Sequence, residues 1–139
     1  MSAFRFRDRL QVRFRDCDPM GHVNNAVYFT YLEQARLAYW VELTGARRGE
    51  LPGMIVAREE CDFKKPARPG DWLNVWLGAT KLGRSSFALD YEILDEAGQL
   101  VALAKSVQVM YDYDAAQAVV IPDWFRARIE EYEGRKLSA

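Results

Sequence analysis

From Phe4 to Phe14 every second residue is apolar except Asp8, and Arg5, Arg7, Arg9, Gln11 and Arg13 hold the positions between. A period of two predicts a strand with one face on a core and one in water, as in an antiparallel sheet covered on one side. The period then changes. After the polar run DCDPMGHVNN, the stretch AVYFTYLEQARLAYWVELTG carries charge only at Glu33, Arg36 and Glu42 and contains no proline. Tyr28, Leu32, Ala35 and Tyr39 stand at i, i+4, i+7 and i+11, with Val27, Tyr31, Ala38 and Val41 alongside. This spacing predicts a helix from about Asn25 to Leu43, closed by Gly45 as its C-terminal cap residue. Its apolar surface is wide enough to need a sheet on one side and a further cover, such as a second subunit, on the other.

The rest of the chain alternates strand-like runs with turn signals. MIVAREECDF, WLNVWLGAT, SSFALDYEIL and LVALAKSVQVMYDYD read as strands, separated by KKPARPGD, KLGR and the hairpin signal DEAGQ. In IPDWFRARIEEYEG a proline precedes Phe125, Ile129 and Tyr132 at i, i+4 and i+7, the pattern of a short amphipathic helix. The order strand, long helix, four strands, helix predicts an α+β fold in which one antiparallel sheet carries the long helix on one face. At 139 residues, half of them apolar, the chain fits a single domain over 1–139.

Charge narrows the possible ligands. Nineteen basic against twenty acidic residues leave a formal charge of −1, so no overall field draws nucleic acid. An anionic ligand must then be held by local cations, and Lys64, Lys65 and Arg68 share one turn while Arg84 sits in another. No apolar run approaches the roughly 18 to 20 residues of a membrane span, and the charged N-terminus does not read as a signal peptide. Cys17 and Cys61 lie in no CxxC or Cys/His metal spacing. The expectation is a cytoplasmic protein without membrane partner, disulfide, metal or cofactor.

The candidate chemistry lies in DCDPMGHVNN. Pro19 favours an extended Asp18 and Gly21 permits a tight turn, which fixes the Asp18 carboxylate at the end of the first strand. The helix starts at Asn24 or Asn25, where backbone N–H groups have no intrahelical acceptor. A fixed carboxylate opposite amide donors at the positive end of a helix is equipment for attacking a carbonyl and stabilising the oxyanion. The same residues also read as an ordinary turn aspartate and a helix cap. Asp16 is expected to anchor the turn, Cys17 to pack, and His22 to serve as scaffold. Glu33 is a reserve carboxylate, with Arg36 three residues on as its expected ion-pair partner.

The runs RFRDCDPMGHVNNAVYFTYLEQAR and VAREECDFKKPARPGDWLNV resemble the 4-hydroxybenzoyl-CoA thioesterase-like branch of the hotdog-fold acyl-CoA thioesterases. The resemblance covers nearly the whole chain. It implies a long helix wrapped by an antiparallel sheet, two subunits joined sheet edge to sheet edge, and active sites at that interface, in a homodimer or homotetramer. It implies an acyl-CoA substrate, with Asp18 as nucleophile or general base and the Asn25 backbone N–H polarising the thioester carbonyl. Gly21, His22, Asn24, Tyr28 and Tyr31 would surround the substrate, and Lys65 and Arg84 would meet the coenzyme phosphates. A hydratase or dehydratase on acyl carriers is a rival, although Asp18 and His22 do not match the D-x-N-P-x-H pattern associated with those enzymes. A non-catalytic acyl-CoA binding module is the other.

Overall fold

A computed structural model describes residues 3–46 and 50–137. Its strands are β1 (Phe6–Gln11), β2 (Met54–Phe63), β3 (Trp72–Leu82), β4 (Ser86–Asp95), β5 (Leu100–Asp112) and the two-residue β6 (Gln117–Ala118). Its helices are α1 (Asn25–Thr44) and α2 (Asp123–Glu133). The strands form one antiparallel sheet in the order β1-β3-β4-β5-β2, with β6 beside β5. The predicted order of elements is therefore present, and β6 is an addition that two residues of pattern did not signal.

The alternation along each strand decides which face meets α1. Leu73, Val75 and Leu77 of β3, Leu89, Tyr91 and Ile93 of β4, and Ala102 and Ala104 of β5 are buried in one cluster with Tyr28, Leu32, Ala35, Tyr39 and Trp40 of α1. Helix α1 ends as expected: Gly45 takes the left-handed conformation (φ 68°) and its N–H donates to Val41 O at 2.8 Å. Asp8, the polar exception on the apolar face of β1, accepts a bond from Gln34 of α1 at 3.2 Å.

Two expectations need correction. Phe14 was placed on the core face of the first strand, yet it is 86% exposed. The strand stops at Gln11, and the Arg13 N–H and guanidinium both bind the Asp16 carboxylate, closing a single 3-10 turn over Phe14–Asp16 that ends the alternation. Arg36 was expected to pair with Glu33 along the helix. It is instead buried beneath α1, where Nη1 donates to Glu59 Oε1 of β2 and to the Tyr91 hydroxyl of β4, both at 3.0 Å. A guanidinium this deep needs acceptors inside the protein, and the facing strands supply them. The chain continues from Tyr91 to Ser106 (2.6 Å), from Ser106 to Gln108, and from Gln108 to Phe87 O (3.3 Å).

Helix α2 closes the other end of the core. Phe125 packs against Trp40 and Phe87, with ring centroids 5.4 and 6.1 Å apart. Strand β1 stops opposite Leu77, so among the described residues the edge of β3 beyond it has no strand partner. The Ala79 N–H on that edge donates to the Tyr39 hydroxyl at 3.2 Å, and the same hydroxyl donates to Glu133 of α2 at 2.5 Å. Phe125 is fully buried between α1 and the sheet. Phe125→Ala should therefore lower unfolding free energy by about 3–5 kcal/mol, read from urea denaturation.

Candidate active site

The segment between β1 and α1 is built as a small hairpin. Cys17 and Val23 form a bridge, the Asp18 N–H donates to His22 O at 3.0 Å, and the Gly21 N–H donates to Asp18 O at 3.0 Å. Gly21 has φ 86°, a conformation that side chains with a Cβ disfavour, so the turn depends on glycine here. The Asp18 carboxylate accepts the Met20 N–H at 2.9 Å through Oδ1, which orients it. The hairpin is tied to the sheet end by the Val23 N–H donating to Ala67 O at 2.9 Å.

Asp16 holds this loop to α1. Only 4% exposed, its carboxylate accepts the Arg13 N–H (2.9 Å), the Arg13 guanidinium (3.1 Å) and the Tyr31 hydroxyl (2.7 Å). Its carbonyl also accepts the Asn24 N–H at 3.0 Å. Burial by itself pushes the carboxyl upward, but the bonds from Arg13 and Tyr31 outweigh it and hold the group below its ordinary value. Burial, then Asp16, pushes the Tyr31 hydroxyl upward, so Tyr31 remains a proton donor to Asp16.

At the start of α1 the amides are divided. Asn24 caps the helix, its side-chain oxygen accepting the Ala26 N–H at 2.9 Å and its carbonyl the Val27 N–H at 2.9 Å. Among the described residues the Asn25 N–H has no acceptor. The expected group of amide donors thus narrows to one. Beside it lies a pocket of about 300 Å³ lined by His22, Val23, Asn25, Tyr28, Phe63, Lys64, Lys65 and Pro66. Burial pushes the Tyr28 hydroxyl up to about 12, so it meets the pocket as a neutral phenol.

The structure brings His22, Asn25, Tyr28 and Lys65 of the expected residues together around this pocket. Asp18 and Gly21 form the hairpin whose stem is one wall, Asn24 lies under the helix start, and Tyr31 is committed to Asp16 one turn behind. Lys65 is already bound, its ammonium donating to Asp95 and Gln99 at 2.5 Å each. Arg84 lies at the other end of the sheet: Ser86 pairs with Val109 and Val109 with Ile55, eight residues along β2 from Phe63, or about 26 Å of strand. Phe63, whose ring meets Tyr28 with centroids 5.3 Å apart, was missed by sequence reasoning. Its signal was an aromatic residue ending a strand directly before Lys-Lys-Pro. Partial burial, then Asp16, Asp18 and Asp71, pushes the Cys17 thiol upward, away from the thiolate a nucleophile needs.

The family model described as the thioesterase-like superfamily matches residues 12–129. The chain belongs to this superfamily. A thioesterase of Thermus thermophilus, solved with coenzyme A and zinc, superposes with a TM-score of 0.89 at 36% identity, covering 99% of this chain and 100% of that one. A 1,4-dihydroxy-2-naphthoyl-CoA hydrolase of Synechococcus elongatus is 33% identical, over 83% of this chain and 90% of its own length. The long-chain acyl-CoA thioesterase FadM of Escherichia coli is 26% identical, over 88% and 96%. The fold is the hotdog fold, and the expectation of a thioester hydrolase is met at the level of the family. Among the described residues no group of three or more His, Cys, Asp or Glu side chains is placed to hold a metal ion, and no helix is long and apolar enough to cross a membrane.

The depressed Asp16 pKa carries a signed expectation. Its contribution to stability is present in full above the ordinary value of 3.8 and is lost as pH falls through the lower folded value. The stability gap between wild type and Asp16→Asn, measured by urea denaturation from pH 7 downward, should therefore be constant to about pH 5 and shrink below the ordinary carboxylate range. Tyr31→Phe should cost about 1.5–3 kcal/mol at pH 7, the value of a hydrogen bond to a charged group.

Proposed function

We propose that the protein hydrolyses an acyl-CoA thioester to a carboxylic acid and free coenzyme A, with Asp18 and the Asn25 N–H as its reacting groups. The observation that carries this reading is the free amide at the start of α1, bordering a pocket whose wall is the stem of the Asp18 hairpin. A thioester carbonyl oxygen placed on the Asn25 N–H would gain most as it becomes an oxyanion, because the helix end is positive and the donor already in position. Asp18 then either adds to the carbonyl carbon, giving an anhydride that water opens, or takes a proton from the water that adds. In both routes the C–S bond breaks and the departing thiolate of coenzyme A takes up a proton. His22, Tyr28 and Phe63 enclose the pantetheine end, and Gly21 and Asn24 act by fixing the hairpin and the helix start.

The reading extends to assembly. β2 is a ten-residue edge strand with Ile55, Val56 and Phe63 exposed, whereas the opposite edge, β1, is six residues long, carries Arg7 and Arg9 and follows Arg5. Arginine on a short edge discourages strand pairing, and a long edge with exposed apolar side chains among its charges invites it. Two copies joined antiparallel through β2 would bring Arg84 of one beside the Phe63 end of the other. That supports Lys65 and Arg84, with the neighbouring Lys64, as contacts to the coenzyme phosphates from two subunits. Two free cysteines fit a reducing cytoplasm.

A panel of acyl-CoAs with a thiol-trapping dye tests the chemistry. Wild-type protein should release thiol, and Asp18→Asn should lower kcat at least about 100-fold; robust turnover by the asparagine variant overturns the role of Asp18. Arg84→Ala should raise KM several-fold while kcat holds. Light scattering should give twice the 16.0 kDa chain mass or a multiple of it, falling to one chain when Ile55 and Val56 are both changed to lysine.

A further inference from the structure

Of the arginine row near the start of the chain, only Arg13 enters the site described above, through its bonds to Asp16. Arg5, Arg7, Arg9, Arg13 and Arg15 are all exposed. The first three stack on aromatic rings: the guanidinium carbon lies 5.3 Å from the ring centre of Tyr132 for Arg5, 5.7 Å from that of Trp76 for Arg7, and 4.1 Å from that of Trp72 for Arg9. Alternate residues of a strand stand about 7 Å apart, so these cations form an evenly spaced row. Two ion pairs are described along it, Arg9 with Glu96 and Arg13 with Asp16, which leaves the β1 edge with an excess of positive charge.

Across the sheet the charge reverses. On the face away from α1 the register runs from Arg7 through Trp76, Glu92 and Leu103 to Asp62, and the next row carries Asp90, Lys105 and Glu60. Acids therefore gather toward β2 and cations at β1, in a protein whose formal charge is only −1. Where the arginine row reaches the segment before α1, apolar side chains join it. Phe14, between Arg13 and Arg15, is 86% exposed, and Met20, at the tip of the Asp18 hairpin, is 75% exposed; no other large apolar side chain among the described residues reaches these values. β1 and β2 are opposite edges of the sheet, so a second copy joined at β2 leaves this surface uncovered.

We propose that the β1 edge, from Arg5 to Arg15 with Trp72, Phe14 and Met20, docks on an anionic lipid bilayer. Phe14 and Met20 enter the boundary between headgroups and acyl chains, while the arginines and the tryptophan against Arg9 lie at headgroup level, the depth that both residue types favour. A fluid bilayer needs no shaped complement, which suits apolar side chains carried singly on two turns. Single-stranded nucleic acid matches the cations but not these apolar tips, and the tryptophan faces on which bases would stack already carry guanidinium groups. The acids toward β2 repel the same headgroups and confine contact to the β1 edge. Among the described residues no helix is long and apolar enough to cross a membrane, and attachment from one side needs none. This contact is independent of the thioesterase reading; it would set the Asp18 hairpin at the surface where amphiphilic molecules collect.

Sedimentation of the full chain with sucrose-loaded vesicles tests the docking. At low salt the protein should pellet with an equal mixture of phosphatidylcholine and phosphatidylglycerol and stay in solution with phosphatidylcholine alone, and added salt should release it. Arg7→Gln combined with Arg15→Gln should lower the partition coefficient by about tenfold or more, at roughly fivefold for each basic residue near the surface. Phe14→Ser should also lower it by about tenfold or more, the scale of one aromatic side chain returned to water. No pelleting with the anionic vesicles, or equal pelleting with both kinds, overturns the proposal. Undiminished binding by Phe14→Ser does so too, because it marks the row as a general polyanion contact of the sort an acidic protein would use. In a second measurement, Phe14→Trp should gain quenching by brominated phospholipid over the background of the four native tryptophans. No gain means that this turn stays in water, which overturns the insertion. The substituted side chains are exposed, so the variants keep the fold, and unchanged urea midpoints verify it.

Discussion

The organisation of the site depends on one buried carboxylate. Asp16 gathers the Arg13 N–H, the Arg13 guanidinium and the Tyr31 hydroxyl on its side chain and the Asn24 N–H on its carbonyl. Four bonds from three segments meet at one residue, so the end of β1, the hairpin bearing Asp18 and the first turn of α1 are held as one unit. A buried charge is tolerable only with such donors, and here its satisfaction fixes where the neighbouring chemistry stands. Asp18, two residues on, is left half-exposed with a single described side-chain bond, that from Met20. One aspartate is built in; the other is held but open.

Most of the fold was legible because its periods are clean. The 3.6-residue repeat from Tyr28 to Tyr39 and the glycine at position 45 locate α1 almost to the residue, and MIVAREECDF coincides with β2. The misreadings share a cause. Phe14 continued an alternation that a side-chain bond from Arg13 to Asp16 interrupts, and periodicity carries no trace of that bond. Arg36 was assigned its nearest opposite charge in sequence, whereas burial made Glu59 and Tyr91, brought in by distant strands, the acceptors it required.

The site was legible in part for the same reason. Residues adjacent in sequence, from Asp16 to Asn25, could be read as a loop feeding a helix start, and the capping role of Asn24 follows from local rules. The narrowing of the helix-start donors to Asn25 required the cap geometry. Phe63, Lys64 and Pro66 join the pocket only because the end of β2 runs beside the first turn of α1, a tertiary relation that no local motif encodes. Lys65 looked like a free cation in sequence and is instead committed to Asp95 and Gln99.

The contact of Tyr39 and Glu133 with the Ala79 N–H has a consequence for growth of the sheet. Where β1 runs out, a hydroxyl and a carboxylate take the Ala79 N–H that another strand would pair with, so among the described residues this edge of β3 is closed at Ala79 by side chains. With the short, arginine-bearing β1 on the same side, the sheet of the described residues is left with one inviting edge at β2. A surface that can be extended from only one side is used up as soon as it meets its own copy, and association by that route ends at a pair instead of running on into a fibre.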